Sequence, residues 1–152
     1  MQYVAKLIPP YPMPDCSSQI VLEALSAERI LVMSDATSKL VELRDRFADE
    51  LTQFDFIEHV YPSSTNFILL RQKPGHEVFS VLAKDGIVTR NQHHEPALRH
   101  CVRISIGSQE SMAEVIASLS RYQTEIRKNQ QDKQIQQSQH KETQSQLDKD
   151  HI

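Results

Sequence analysis

Two arginines lie where short apolar runs predict β-strands, and arginine is the side chain best suited to bind an anion. Arg90 follows the apolar pair 87–88, and Arg103 lies inside the apolar run 102–106. A guanidinium group stays charged and donates paired hydrogen bonds to a carboxylate or a phosphate. The spacing is consistent with neighbouring strands joined by the loop 91–100, so both arginines could bind one anion. The alternative is that Arg103 is a solvated arginine on the open face of a sheet.

The segment CVRISIG indicates which way Arg103 points. Successive side chains of a strand face opposite sides of the sheet. One side of this segment is apolar and is expected to face the helices, namely Val102, Ile104 and Ile106. The other side carries Cys101, Arg103 and Ser105. Arg103 is therefore predicted to project from the face of the sheet that lies away from the helices.

Other residue types that could carry chemistry lack the spacing that the chemistry needs. His93, His94, His100 and Cys101 lie close together, but no pair has the spacing of a structural zinc site, so no metal is expected. There is no G-x-S-x-G motif for a serine nucleophile. The chain has three glycines, too few for a glycine-rich phosphate loop. These residues therefore predict no metal site, no serine nucleophile and no glycine-rich phosphate loop.

Composition and charge exclude several classes of partner. Hydrophobic residues make up 39% of the 152 residues, enough for the core of one ordinary domain. The net charge of −3 gives no basic surface for nucleic acid or for a membrane. No apolar run approaches the roughly 20 residues that span a bilayer. Cys16 and Cys101 are the two cysteines. With no signal-peptide pattern at the N-terminus, they favour the reducing cytoplasm.

Apolar periodicity and turn residues predict a small α+β domain. The prolines of residues 1–14 indicate an extended connector. The elements that follow are a short helix at 17–25, a long helix from a cap at Ser26 to about Phe54, strands at 56–61 and 66–71, a helix at 76–85, a strand, loop and strand over 87–106, and a last helix from 107–108. Gly86 is expected to stop the third helix. This order predicts an antiparallel or mixed sheet with helices over one face.

The chain changes composition after Tyr122. Residues 123–152 are rich in glutamine and mixed charge, without an aromatic residue, so they are expected to be disordered or a frayed helix. A coiled-coil tail would need regular heptads, which Ile126, Ile135 and Leu147 do not supply. The predicted organisation is therefore a connector at 1–26, a domain at 27–122 and a glutamine-rich tail at 123–152.

Three segments in close order carry a resemblance to a known family. They are YPSSTNFILLR, GIVTRNQ and LRHCVRISIGSQES. Together they resemble the C-terminal part of histidinol-phosphate aminotransferase, a family of pyridoxal-phosphate (PLP) enzymes with the aspartate-aminotransferase fold. PPYPMPDCSSQIVLEALS resembles the connector from that family's large domain to its small domain. The resemblance covers about residues 3–122 and leaves the tail outside.

The resemblance implies a function for the two arginines. In the family, the arginine matching Arg103 binds the carboxylate of the amino-acid substrate or the phosphate of histidinol phosphate. The arginine matching Arg90 helps to hold that phosphate. The reaction transfers an amino group between glutamate and imidazole acetol phosphate in histidine biosynthesis. The family is homodimeric, and its small domain closes over a site built mainly by a large domain.

The chain departs from the family at the Schiff-base lysine, which lies in the large domain. Ser38 and Lys39 are followed by Leu40 and Val41 rather than by glycines, and Lys39 falls on the polar side of the long helix. This chain alone is therefore not expected to bind PLP or to catalyse transamination. Two alternatives stay open beside an enzyme fragment. One is a stand-alone anion-binding or regulatory module, and the other is a partner of a separately encoded large domain.

Overall fold

The computed structural model describes the backbone of residues 14–149 and the side chains of residue 14 and residues 17–137. Within these ranges the elements are α1 (Asp15–Ala24), α2 (Ala27–Leu51), β1 (Ile57–Val60), β2 (Phe67–Gln72), α3 (Val78–Lys84), β3 (Arg90–Asn91), a 3₁₀ turn (Pro96–Leu98), β4 (Cys101–Ser105) and α4 (Gln109–Lys149). The predicted α+β class is confirmed. The predicted connector at 1–14 lies outside the described residues except for Pro14. No helix within residues 14–149 is both long and apolar enough to cross a membrane.

The four strands form one antiparallel sheet in the order β1-β2-β4-β3. The two central strands, β2 and β4, are paired along their length. Phe67 lies opposite Ser105 at one end of this pairing, and Arg71 lies opposite Cys101 at the other. On the far side of β4, β3 contributes two paired residues, Arg90 and Asn91. Of the two arrangements that the sequence left open, the described strands adopt the antiparallel one.

One face of the sheet is buried. In β2 the side chains alternate, with Ile68 and Leu70 buried while their neighbours are half-buried. Val102 and Ile104 lie opposite them on β4 and are also buried, as predicted. The helices add an apolar set to this core: Phe47, Leu51, Val78, Leu82, Met112, Val115 and Leu119. Burying one such side chain stabilises a fold by about 1.5–3 kcal/mol, so the core positions the strands firmly.

The chain divides into two compact units between Leu40 and Val41. The second unit contains the sheet, α3, α4 and the core residues named above. Among the described residues of the first unit, the large apolar side chains from Ile20 to Met33 are exposed, with exposed fractions from 36% at Val21 to 72% at Leu22, while Leu40 is half-buried. The domain boundaries proposed from the sequence, after residues 26 and 122, stay a prediction.

The strand predicted at 87–88 is wrong, because the chain joins the sheet only at Arg90. Gly86 has φ +77° and ends α3, which confirms the predicted helix stop. The N–H of Ile87 then donates to the carbonyl of Leu82 at 2.9 Å, so this residue still completes the helix end. Val88 is 96% exposed. The apolar pair therefore belongs to the turn between α3 and β3.

The polar tail is helical as far as the described residues extend. α4 continues through Tyr122 to Lys149, one of the two conformations expected for this segment. Its first turn after Tyr122 is anchored at Asp55. The side chain of Gln123 accepts a hydrogen bond from the Asp55 N–H at 3.0 Å and donates one to the Asp55 carboxylate at 2.9 Å. Arg127 pairs with the same carboxylate at 2.7 Å.

We predict that Gln123→Ala lowers the free energy of unfolding by about 1–3 kcal/mol, because the Asp55 N–H loses its acceptor. Urea unfolding of the 152-residue chain measures the change. Gln131→Ala is the matched control, since Gln131 is exposed on the same helix. Equal unfolding free energies for the two variants would show that the Gln123 contacts do not hold α4.

Candidate anion-binding site

Arg90 and Arg103 lie directly opposite each other on β3 and β4. Directly paired residues of an antiparallel sheet share a face, with Cβ atoms about 4.5–5.5 Å apart. The structure therefore brings together the two arginines that the sequence singled out. Like charges in this position destabilise a sheet, so the pairing is unfavourable until an anion binds between them.

The guanidinium groups of this pair are available to a ligand. Among the described residues, the ion pairs involve other side chains, and none joins a carboxylate to Arg90 or Arg103. The Arg103 guanidinium carbon lies 5.0 Å from the centre of the Phe67 ring. A contact of this kind orients a guanidinium group without using its hydrogen-bond donors. The pair can therefore donate several N–H groups to one carboxylate or phosphate.

The surroundings of the pair are partly apolar. On β2, which pairs with β4 along its other edge, Leu69 is the partner of Arg103 and Phe67 is the partner of Ser105. Both apolar side chains therefore project from the same face of the sheet as the arginine pair. Phe67, Leu69 and Arg103 are half-buried, whereas Arg90 is exposed. We call this side, with Arg71, Arg90 and Arg103 as its charged residues, the arginine face. Charge interactions are stronger beside half-buried apolar groups than in open water.

A third arginine on this face was missed by the sequence reasoning. Arg71 is the penultimate residue of β2, and it lies two residues after Leu69 and four after Phe67. This alternation places it on the same face and could have revealed it from the sequence. Its Nη2 donates to the carbonyl of Ala97 at 3.1 Å, and its guanidinium carbon lies 5.7 Å from the centre of the Tyr61 ring. Contact with the thiol of Cys101 raises the pKa of Arg71.

Cys101 corrects the expectation that the second face is open throughout. It lies opposite Arg71, on the predicted side, yet its exposed fraction is 0%. The guanidinium of Arg71 contacts its thiol, and the thiol donates to the carbonyl of Arg99 at 3.7 Å. The loop between β3 and β4 therefore folds back over this end of the face.

The nearby histidines have a structural arrangement. The N–H of His100 donates to Nδ1 of His93 at 3.2 Å, and the two rings lie 5.1 Å apart. His100 has φ 61°, an uncommon conformation for a residue with a side chain. Within the described part of the chain, no three His, Cys, Asp or Glu residues are placed to hold a metal ion.

The described residues do not fit the PLP cofactor. A PLP site needs a lysine for the Schiff base and a group that binds the cofactor phosphate. Lys39 lies on an exposed helix surface, with Nζ 2.6 Å from the carboxylate of Asp35. The three glycines, Gly75, Gly86 and Gly107, lie in separate connecting segments, the first two with positive φ, and form no glycine-rich phosphate-binding loop. The arrangement described here can therefore bind an anion, but it does not supply the cofactor's chemistry.

Comparison with known proteins places these features in a family. Residues 1–119 match the family model "Aminotransferase class I and II". The chain is 36% identical over 114 residues to histidinol-phosphate aminotransferase of Shigella flexneri, covering 75% of this chain and 32% of that protein. It is 35% identical over 118 residues to histidinol-phosphate aminotransferase of Blochmanniella floridana, covering 78% and 33%. The chain thus spans about a third of the length of these relatives.

Solved structures agree with these sequence relationships. The histidinol-phosphate aminotransferase from Clostridium acetobutylicum superposes with a TM-score of 0.52 at 26% identity, over 57% of this chain and 27% of that chain. A decarboxylase from Sulfurospirillum multivorans gives a TM-score of 0.65 at 19% identity, over 74% and 33%. The second likeness concerns the fold alone.

Proposed function

The chain belongs to the class I and II aminotransferases, and on this basis we propose that it forms the C-terminal part of a histidinol-phosphate aminotransferase. In this proposal it supplies Arg90 and Arg103, which bind the anionic group of each substrate. The observation that carries the proposal is the direct pairing of these two arginines across β3 and β4. The proposed reaction transfers an amino group between glutamate and imidazole acetol phosphate.

Two substrates of unlike shape must use one site in turn, and each presents an anion. Glutamate offers a carboxylate, while histidinol phosphate offers a phosphate with more acceptor oxygens. A pair of guanidinium groups can bind either one, because planar donors match both anions. We expect Arg103 to contact the anion of both substrates, and Arg90 to contribute chiefly to the phosphate. Holding the anion in this way orients the reacting end of the substrate.

PLP is the cofactor that the family implies, and when bound it supplies the carbonyl group that accepts the amino group. The residues described here do not fit it. We therefore assign the lysine and the other cofactor-binding groups to a large domain that precedes this region in the family. The role of this chain is to bind and orient the substrate anion.

The exposed apolar side chains of the first unit support a partner of this kind. Leu22, Leu31 and Val32 are 72%, 71% and 67% exposed. A concentration of exposed large apolar side chains in one unit is unusual for a protein surface in water and is typical of a surface that another polypeptide covers. We propose that the partner is the aminotransferase large domain, in the same polypeptide or on a separate one, within a homodimer.

A second candidate function is a stand-alone anion-binding module. The observation that favours it is that the unit after Leu40 buries its own core, including Leu70 and Leu119 at 0% exposure. Such a module should be monodisperse as the 152-residue chain and should bind histidinol phosphate or glutamate. A titration in which Arg103→Ala binds as well as the original chain would exclude it.

The proposed function is tested by a chimaera. Residues 1–122 of this chain replace the matching C-terminal part of the Shigella flexneri relative, and amino transfer from glutamate to imidazole acetol phosphate is measured. We expect activity in the chimaera and none in the relative truncated at the same junction. A folded chimaera that binds PLP but transfers no amino group would contradict the proposal.

A further inference from the structure

The position of Arg90 depends on a very short strand. β3 contains two residues, and its pairing with β4 consists of Arg90 opposite Arg103 and Asn91 opposite Val102. One more backbone hydrogen bond follows, from the N–H of Gln92 to the carbonyl of Cys101 at 3.0 Å. Short exposed edge strands open readily. Something besides this pairing is needed to keep Arg90 opposite Arg103.

The loop after β3 has internal hydrogen bonds of its own. The N–H of His93 donates to the side chain of Asn91 at 2.8 Å, and the N–H of Leu98 donates to the carbonyl of Glu95 at 2.9 Å. These contacts shape the loop but do not attach it to the rest of the sheet. Among the described hydrogen bonds of residues 92–100, two reach β2. The N–H of Gln72 donates to the carbonyl of His100 at 2.9 Å, next to β4, and Arg71 donates to the carbonyl of Ala97, which makes it the contact that reaches the middle of the loop.

Arg71 is suited to this attachment because its side chain has several neighbours that hold it in place. It lies opposite Cys101 and diagonal to Arg103, its guanidinium lies over Tyr61, and Nη2 reaches Ala97. Its Nε is buried and has no hydrogen-bond partner among the described residues. Burying an unpaired N–H is costly, and buried groups of this kind often mark functional regions.

We propose that Arg71 is a positioning residue, which attaches the loop between β3 and β4 to β2 and thereby holds Arg90 opposite Arg103. The inference rests on the proposed function for its purpose, since Arg90 is positioned there to bind the substrate anion. In this proposal Arg71 acts through the loop rather than on the anion, since its Nη2 donates to Ala97 and its Nε is buried.

The test is amide hydrogen exchange on the full 152-residue chain, with the N–H of Gln92 as reporter. Arg71→Gln should raise exchange at Gln92 about 10-fold, through local opening, while exchange at Leu119 in the core stays unchanged. Arg71→Lys should restore part of the protection at Gln92, because one ammonium N–H can still reach the carbonyl of Ala97. Arg46→Gln, an exposed arginine on α2, is the matched control.

Three results would overturn the inference. One is unchanged exchange at Gln92 in Arg71→Gln, and another is an equal rise at Leu119, which would mean general destabilisation. The third is an Arg71→Lys variant that exchanges at Gln92 as fast as Arg71→Gln. The exchange result does not depend on substrate binding. An inactive chimaera would contradict the proposed function. If Gln92 nevertheless loses protection in Arg71→Gln and not in the control Arg46→Gln, the positioning role of Arg71 still holds.

Discussion

Arg103→Gln in the chimaera is expected to lower kcat/KM by about 100-fold or more, for both glutamate and histidinol phosphate. The reason is that glutamine is shorter, carries no charge and lacks the paired guanidinium donors, and hydrogen bonds to charged groups contribute about 1.5–3 kcal/mol each. The half-buried position of Arg103 beside Phe67 leaves little room for water to replace the lost donors. Steady-state kinetics measures the effect in both directions, with glutamate varied against imidazole acetol phosphate and histidinol phosphate varied against the keto acid formed from glutamate.

Arg46→Gln is the control for this substitution, because it removes an exposed arginine of α2 that is not on the arginine face. It should leave both kcat/KM values unchanged. If Arg103→Gln retains full activity with either substrate while the chimaera stays folded, Arg103 does not bind the anion of that substrate. A loss confined to histidinol phosphate would limit Arg103 to the phosphate.

Leu119→Ala is expected to lower the free energy of unfolding of the 152-residue chain by about 2–5 kcal/mol. Leu119 lies on α4 and has an exposed fraction of 0%, so its truncation leaves a cavity in the core of the second unit. A loss of this size is a large part of the stability of an ordinary domain, about 5–15 kcal/mol. Urea unfolding followed by circular dichroism measures it.

Ile135→Ala is the matched control, since Ile135 lies on the same helix and is 56% exposed. It should change the unfolding free energy by less than about 0.5 kcal/mol, as exposed substitutions usually do. If both variants unfold at the same urea concentration as the original chain, α4 does not contribute to the core. If Ile135→Ala destabilises as much as Leu119→Ala, the extension beyond Tyr122 is itself packed.

The helices were predictable because their apolar periodicity is long and regular. The stripe of Met112, Val115 and Leu119 defines α4, and Gly86 marks the end of α3 as expected. The short elements were harder, because two apolar residues do not distinguish a strand from a turn. The pair 87–88 was therefore placed in a strand, although hydrogen bonding draws Ile87 into the end of α3.

The sequence identifies the two arginines, but it does not give the register of β3 and β4 that places them opposite each other. Sequence spacing allowed Arg90 and Arg103 to lie on neighbouring strands, yet a shift of one residue would have put them on opposite faces. The register follows from tertiary contacts, including the bond from Gln92 to Cys101. The burial of Cys101 was missed for the same reason, since it depends on a loop that folds back over the sheet. Arg71, in contrast, alternates with Phe67 and Leu69 and could have been placed on the arginine face from the sequence.

The central claim is that Arg90 and Arg103 bind one anion together, and a double-mutant cycle in the chimaera tests it most directly. The values of kcat/KM for histidinol phosphate are compared for Arg90→Gln, Arg103→Gln and the double variant. Two arginines that share one phosphate should be coupled, so the double loss should differ from the product of the single losses by about 10-fold. Independent losses that multiply without coupling, or no loss in Arg90→Gln, would contradict the claim.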